Sequence, residues 1–112
     1  MAEVVITLKL ADEISKKFRE ESIAIFSLLK ELQNDPKKGK EIGCVDKILI
    51  KEIKYKKYRF YFITDGYKIK FLKTEELGNL VIKFIRMSDK NNQQKTIEEI
   101  KNILRLLGEE GF

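Results

Sequence analysis

Residues 3–10 are almost continuously apolar, with Val4, Val5, Ile6, Leu8 and Leu10, and read as a strand interior to its sheet. The pattern then turns helical. Ile14 and Phe18 stand four apart, and Ile25, Leu28, Leu29 and Leu32 continue the stripe with Phe26 beside it, which predicts one long helix or two in tandem over residues 12–33. Ala11-Asp12 offers an N-cap, and Ser22 offers a second one where the stripe is interrupted at residues 19–22. Asn34-Asp35-Pro36 ends the helical stretch, because the residue before a proline is pushed out of the α region and proline has no amide to donate.

Residues 37–43 then read as a loop, 45–53 as a strand built on Ile48, Leu49 and Ile50, and 54–57 as a short cationic turn. Lys47 and Lys51 are placed on one side of that strand. Residues 57–72 read as a hairpin turning at Asp65-Gly66, a pair that tolerates the positive φ of a tight turn. Along its first strand Lys57, Arg59, Tyr61 and Ile63 alternate with Tyr58, Phe60, Phe62 and Thr64. Exposing Phe60 and Phe62 would be costly, so their face is expected inward, with Arg59 turned to solvent or a ligand.

Residues 73–79 punctuate, and 80–87 form a further strand with Arg86 at its end. Thr96-Ile97-Glu98-Glu99 matches a capping box, and Ile97, Ile100, Leu104 and Leu107 repeat at helical spacing up to Gly108. Residues 108–112 are expected to be a flexible tail. Helices grouped before and after a run of strands indicate an α+β, two-layer fold. Its parts are an N-terminal strand and helical hairpin packed on a mostly antiparallel sheet, plus a C-terminal helix, in a single domain over residues 1–112.

Composition narrows the function. Apolar residues make up 43% of the 112, enough for one domain, and charged residues 37%. No apolar run reaches the roughly 18 residues of a membrane span, and no basic region precedes a long apolar stretch, so a cytoplasmic protein is expected. The net charge of +5 is unevenly spread: residues 47–73 hold eight lysines and Arg59 against Glu52 and Asp65, a local +7. Such a basic segment suits a polyanion, and equally a solvated sheet face. Cys44 is the only cysteine and histidine is absent, which excludes an internal disulfide, a histidine general base and histidine metal ligands. The pairs Glu75/Glu76, Glu98/Glu99 and Glu109/Glu110 read as solvated, and neither metal nor cofactor is called for.

The element order, with Asn34-Asp35-Pro36-Lys37-Lys38-Gly39 closing a helical hairpin and Tyr58-Arg59-Phe60-Tyr61-Phe62 ahead of an acidic turn, resembles the RelE/ParE toxin superfamily. The stretch from Phe84 through the Lys/Gln-rich residues 90–95 to Ile100 looks like its HigB-type and phage-derived members. The resemblance covers residues 3–104 and implies the toxin of a toxin-antitoxin system that cleaves messenger RNA, often on the ribosome, and is neutralised by a cognate antitoxin. It leaves open a ParE-like topoisomerase poison and a non-catalytic RNA- or partner-binding domain.

RNA can be cut when its 2′-OH attacks the adjacent phosphate. This needs a base, stabilisation of the phosphate oxygens and help for the leaving 5′-oxygen, and none of these requires a metal. Arg59 suits a two-pronged phosphate clamp and matches the family's Tyr-Arg motif. Arg86 resembles the family's second arginine, as a phosphate stabiliser or leaving-group aid. Lys51 and Lys54 lie where the family carries basic residues, and either holds phosphate or, with its charge disfavoured by other cations, serves as base. Lys47 and Lys57 add to the RNA-binding set, Tyr55 and Tyr61 offer rings for stacking, and Lys90 stands in a loop, residues 88–94, that lacks the tyrosine usual in the family. An acidic antitoxin segment is expected across Lys54 and Arg59.

Overall fold

The computed structural model describes residues 1–112. Strand β1, Glu3–Ile6, passes through Thr7 straight into helix α1, Leu8–Phe18, and the Thr7 Oγ1 accepts the amide of Leu10 at 3.3 Å. The cap expected at Ala11-Asp12 therefore falls inside the helix, because the backbone switches from extended to helical at the earlier hydroxyl residue. The break expected at residues 19–22 is present as a 3-10 turn in which Arg19 takes a φ of 51°. Helix α2, Ser22–Lys30, follows, but Ser22 does not cap it; its hydroxyl donates backwards to the Arg19 carbonyl.

Four more strands follow: β2, Lys40–Val45; β3, Ile48–Tyr55; β4, Tyr58–Asp65; and β5, Val81–Asp89. They form one sheet with β1 in the order β1-β5-β4-β3-β2, antiparallel except for β1 beside β5. The tight turns are not where Asp65-Gly66 suggested. They lie at residues 46–47 and 56–57, where Asp46 and Lys56 each take a φ of 53°. Asp65 instead caps helix α3, Gly66–Phe71, its carboxylate accepting the Lys68 amide at 3.1 Å. Gly66 is needed there for close approach: its amide donates to the Lys47 carbonyl at 2.9 Å, and a Cβ would meet that oxygen at 3.1 Å. An aspartate two residues before a lysine-rich segment serves a helix start as well as a turn, and the sheet's own turns had already been made elsewhere.

Both faces of the sheet are covered. On one, Leu10, Ile14, Ile25, Leu29 and Leu32 pack against Val4, Ile53, Phe60, Phe62, Ile82 and Phe84. On the other, Ile97, Ile100 and Leu104 of helix α4, Gln93–Leu107, pack against Val45, Ile50, Tyr61, Ile63 and Ile85. Fully burying such side chains is worth about 1.5–3 kcal/mol each, which makes the face carrying the helical hairpin the larger source of stability. The α+β arrangement matches the expectation. The inward direction of Phe60 and Phe62 does too, but Tyr61 and Ile63 are equally buried, so the opposite face is a second apolar surface rather than a cationic one. Helix α4 starts at Gln93, three residues before the supposed capping box; the Thr96 hydroxyl donates to the Asn92 carbonyl within the helix. Gly108, at φ 65°, ends it, and a 3-10 turn over Gly108–Gly111 lays Phe112 against the second cluster. No helix is long and apolar enough to cross a membrane.

Candidate functional site

Lys54 and Arg59 face each other across the β3–β4 pair, one residue pair before the turn at residues 56–57. Beside them, on the same face, Glu52 pairs in register with Lys40 at the start of β2 and with Tyr61 of β4. Strand β2 begins only at Lys40, so β3 beyond Glu52 has no partner on that side, and a cleft of 460 Å³ opens there. Lys38, Lys40, Lys54 and Arg59 line it together with Glu52, and Gln93 reaches in from the start of α4. Gly39 shapes the entry: at φ 107°, it lies so close to the sheet that a Cβ would meet the Glu52 carbonyl oxygen and the Phe62 ring, each at 3.1 Å.

Inside the cleft Arg59 is almost covered. Its Nε lies 3.4 Å from the Glu52 Oε2, and its Nη1 donates to the Tyr58 carbonyl at 3.3 Å. The Oε2 of Glu52 is buried and has no hydrogen-bond partner, so the pair is held by charge alone. Behind it the fully buried Tyr61 shares a 2.7 Å hydrogen bond with the Ser88 hydroxyl. Burial raises the Tyr61 phenol above its ordinary value, against the opposing hydrogen bond from Ser88. The arrangement sets one nearly buried arginine, three lysine ammonium groups and a carboxylate with spare acceptor capacity around one open cleft, which suits an anionic diester.

The remaining residues singled out from sequence are scattered. Arg86 lies on the same face but not in this cleft: its Nε bonds the Glu99 carboxylate at 3.0 Å, its Nη1 donates to the Ile85 carbonyl, and the Phe112 ring covers it. Lys51 is on the opposite face, only 3% exposed, donating to the Lys37 carbonyl at 2.9 Å beside the Phe62 ring. Burial lowers its ammonium pKa, against the attraction of Glu41 and Asp35. Strand alternation explains the separation, since Lys51 and Glu52 cannot share a face.

Lys47 sits in the other turn, at the far end of β3, beside the exposed rings of Tyr67 and Phe71. Lys57 is exposed in the turn at residues 56–57, over the Tyr58 ring. Tyr55 is occupied, donating to the Glu21 carboxylate at 2.6 Å, and Tyr61 is buried, so neither offers a free ring. Lys90 is exposed in the 3-10 turn Lys90–Asn92, which Asp89 caps through the Asn91 and Asn92 amides. The local +7 is thus divided between the two ends of the β3–β4 pair, with Lys51 buried between them.

Sequence reading passed over Glu52, Lys38, Lys40 and Gln93. Reading residues 37–43 as a loop hid the pairing of Lys40 with Glu52. A signal for Glu52 was present nonetheless, as the lone acid between Lys47 and Asp65. Comparison of the chain with protein-family models, curated proteins and solved structures finds no match.

Proposed function

We propose that this chain is a cytoplasmic, metal-independent endoribonuclease, the toxin of a RelE/ParE-type toxin-antitoxin pair acting on messenger RNA, with its chemistry confined to the cleft at Lys54 and Arg59. The observation that carries the reading is that cleft: Lys38, Lys40, Lys54 and Arg59 line it, and the Glu52 oxygen 3.4 Å from Arg59 is buried without a hydrogen-bond partner. A phosphodiester seated there has its non-bridging oxygens against Arg59 and Lys40. Glu52 takes the proton of the 2′-OH, the 2′-oxygen bonds to phosphorus, and the bond to the 5′-oxygen breaks as Lys54 gives that oxygen a proton. The products are a 2′,3′-cyclic phosphate and a 5′-hydroxyl, with charge stabilisation supplied by groups already in position. Arg86, engaged by Glu99, is left out of this scheme.

Induction of the wild type should produce new transcript 5′ ends in a primer-extension map, and purified protein should cut RNA in the presence of EDTA. Glu52→Gln and Lys54→Ala should each reduce cutting on the order of a hundredfold. A second reading, RNA binding without cleavage, is favoured by the absence of any free tyrosine ring in the cleft. Binding with no cuts would select it, and growth inhibition with neither would move the protein to the topoisomerase-poison class.

A further inference from the structure

The two edges of the sheet are guarded differently. Strand β2 carries the exposed Lys40 and Glu41, and its register shifts between Glu41 and Gly43, so charges and a bulge keep a further strand away. Strand β1 has no such bulge. Its pairing with β5 is regular from Glu3 to Ile6, the run Val4-Val5-Ile6 is apolar, and a cleft of 560 Å³ opens beside it. Glu3 donates to the Leu80 carbonyl at 2.8 Å and Thr7 to that of Phe84 at 3.1 Å, so the alternate residues Val4 and Ile6 turn their amides and carbonyls away from β5. An unpaired edge of this kind is a template for an added strand.

The same strand from a second copy fits this edge in one register. An antiparallel copy that satisfies both outward residues sets Val4 opposite Ile6 and Ile6 opposite Val4, about a two-fold axis through Val5. Glu3 then stands opposite Thr7 of the other copy, with that copy's Lys9 two residues further along and within reach. Glu3 and Lys9 are both exposed, and neither forms a salt bridge within the chain. Leu8, 89% exposed, comes to the other copy's Met1, 81% exposed. The edge is thus complementary to itself in main-chain groups, in charge and in apolar surface. We infer that β1 pairs with β1 of a second copy of this chain, joining two five-stranded sheets into one continuous sheet. A foreign segment of one charge sign would satisfy either Lys9 or Glu3 and repel the other, whereas a second copy satisfies both.

A contact one short strand long lies at the small end of specific interfaces, so a weak dimer that grows with concentration is expected. Sedimentation equilibrium of the full chain at low ionic strength should show the mass rising towards twice that of one chain, and amide exchange at Val4 and Ile6 should slow as the dimer fills. Glu3→Lys and Lys9→Glu, both at exposed positions, should each weaken self-association at least about tenfold by setting like charges together. An equimolar mixture of the two variants should recover it, because Lys at 3 then meets Glu at 9 and the native Glu3 of one variant meets the native Lys9 of the other. A monomer up to about 1 mM would overturn the inference and leave the edge to the strand of another protein. Self-association that neither variant weakens, or exchange slowed along β2 and not at Val4 and Ile6, would overturn it by placing the contact elsewhere. None of these readings depends on whether the chain cuts RNA.

Discussion

Glu52 Oε2 and Arg59 Nε stand 3.4 Å apart in a contact nearly closed to solvent, with 9% and 12% of the two side chains exposed. An open strand arginine would contribute under about 1 kcal/mol. Here its loss leaves a buried carboxylate without a counter-charge, and Arg59→Ala is expected to cost about 3 kcal/mol in urea unfolding. Adding Glu52→Gln to that variant should restore a large part of the loss, which a double-mutant cycle reads directly. Strict additivity of the two changes would show that the pair is not coupled. Activity tests at this site are therefore better made with Lys54→Ala than with a single change at either member of the pair, since Glu52→Gln alone strands Arg59 as Arg59→Ala strands Glu52.

Gly39 is expected to tolerate no side chain. Its φ of 107° is unfavourable for any L residue, and the Cβ of an alanine would press on the Glu52 carbonyl, which the sheet holds in place. Gly39→Ala should lower stability by about 2 kcal/mol, measured by urea unfolding. An unchanged midpoint would mean that the entry to the cleft is free to move.

How far the fold could be read in advance depended on which signal each segment carried. The long apolar periodicities gave α1, α2, β5 and α4, because burial alone decides them. Turns depended on local chemistry, and there two meanings competed: Asp65-Gly66 serves a hairpin or a helix start, and the tight turns that did form, at Asp46 and Lys56, carry no glycine. Once residues 67–71 became a helix and 40–45 a strand, the hairpin moved one strand earlier. That shift carried Lys54 and Arg59 into register together and left Lys51 behind the sheet. Arg59 and Lys54 stood out in the sequence as candidates from their charge and from the resemblance, while their neighbours Glu52 and Lys40 needed the register that only the three-dimensional structure supplies.

Lys51 gives a pH dependence opposite in sign to that of a paired lysine. Burial holds its folded-state pKa below the ordinary lysine value, so the unfolded chain binds the proton more readily. Stability from this residue should therefore rise with pH across the window from the lowered pKa up to the ordinary one. Lys51→Met should remove that rise and leave neutral-pH stability unchanged or higher by about 1 kcal/mol, as when a buried charge gives way to an apolar chain. A steeper fall in stability at alkaline pH in the wild type than in the variant would contradict this.

Glu21 acts at the acid end. The Lys56 ammonium, then the Tyr55 hydroxyl, hydrogen-bond its carboxylate and lower its pKa. A lowered carboxylate stabilises the fold above its unfolded pKa and loses that contribution as pH falls through the folded one. Thermal midpoints of the wild type should therefore drop more on acidification through the carboxylate range than those of Glu21→Gln. Parallel curves would show that this surface cluster contributes nothing.

The proposed RNA binding would be divided between the two ends of the β3–β4 pair by its salt dependence. Each phosphate neutralised on a single strand contributes about 0.7 to the slope of log affinity against log salt. Lys38, Lys40 and Lys54 line the cleft and are exposed to it, whereas Lys47 stands at the other end of β3 and Lys51 behind the sheet. If the cleft holds the backbone, Lys40→Ala and Lys54→Ala should each reduce the slope by about 0.7, while Lys47→Ala and Lys51→Met leave it unchanged. Fluorescence anisotropy with a labelled oligouridylate, repeated over a salt series for each variant, measures these slopes. Equal reductions for Lys47→Ala and Lys54→Ala would mean that the positive charge acts as a diffuse field over the whole hairpin, and the cleft would lose its claim to be the RNA site.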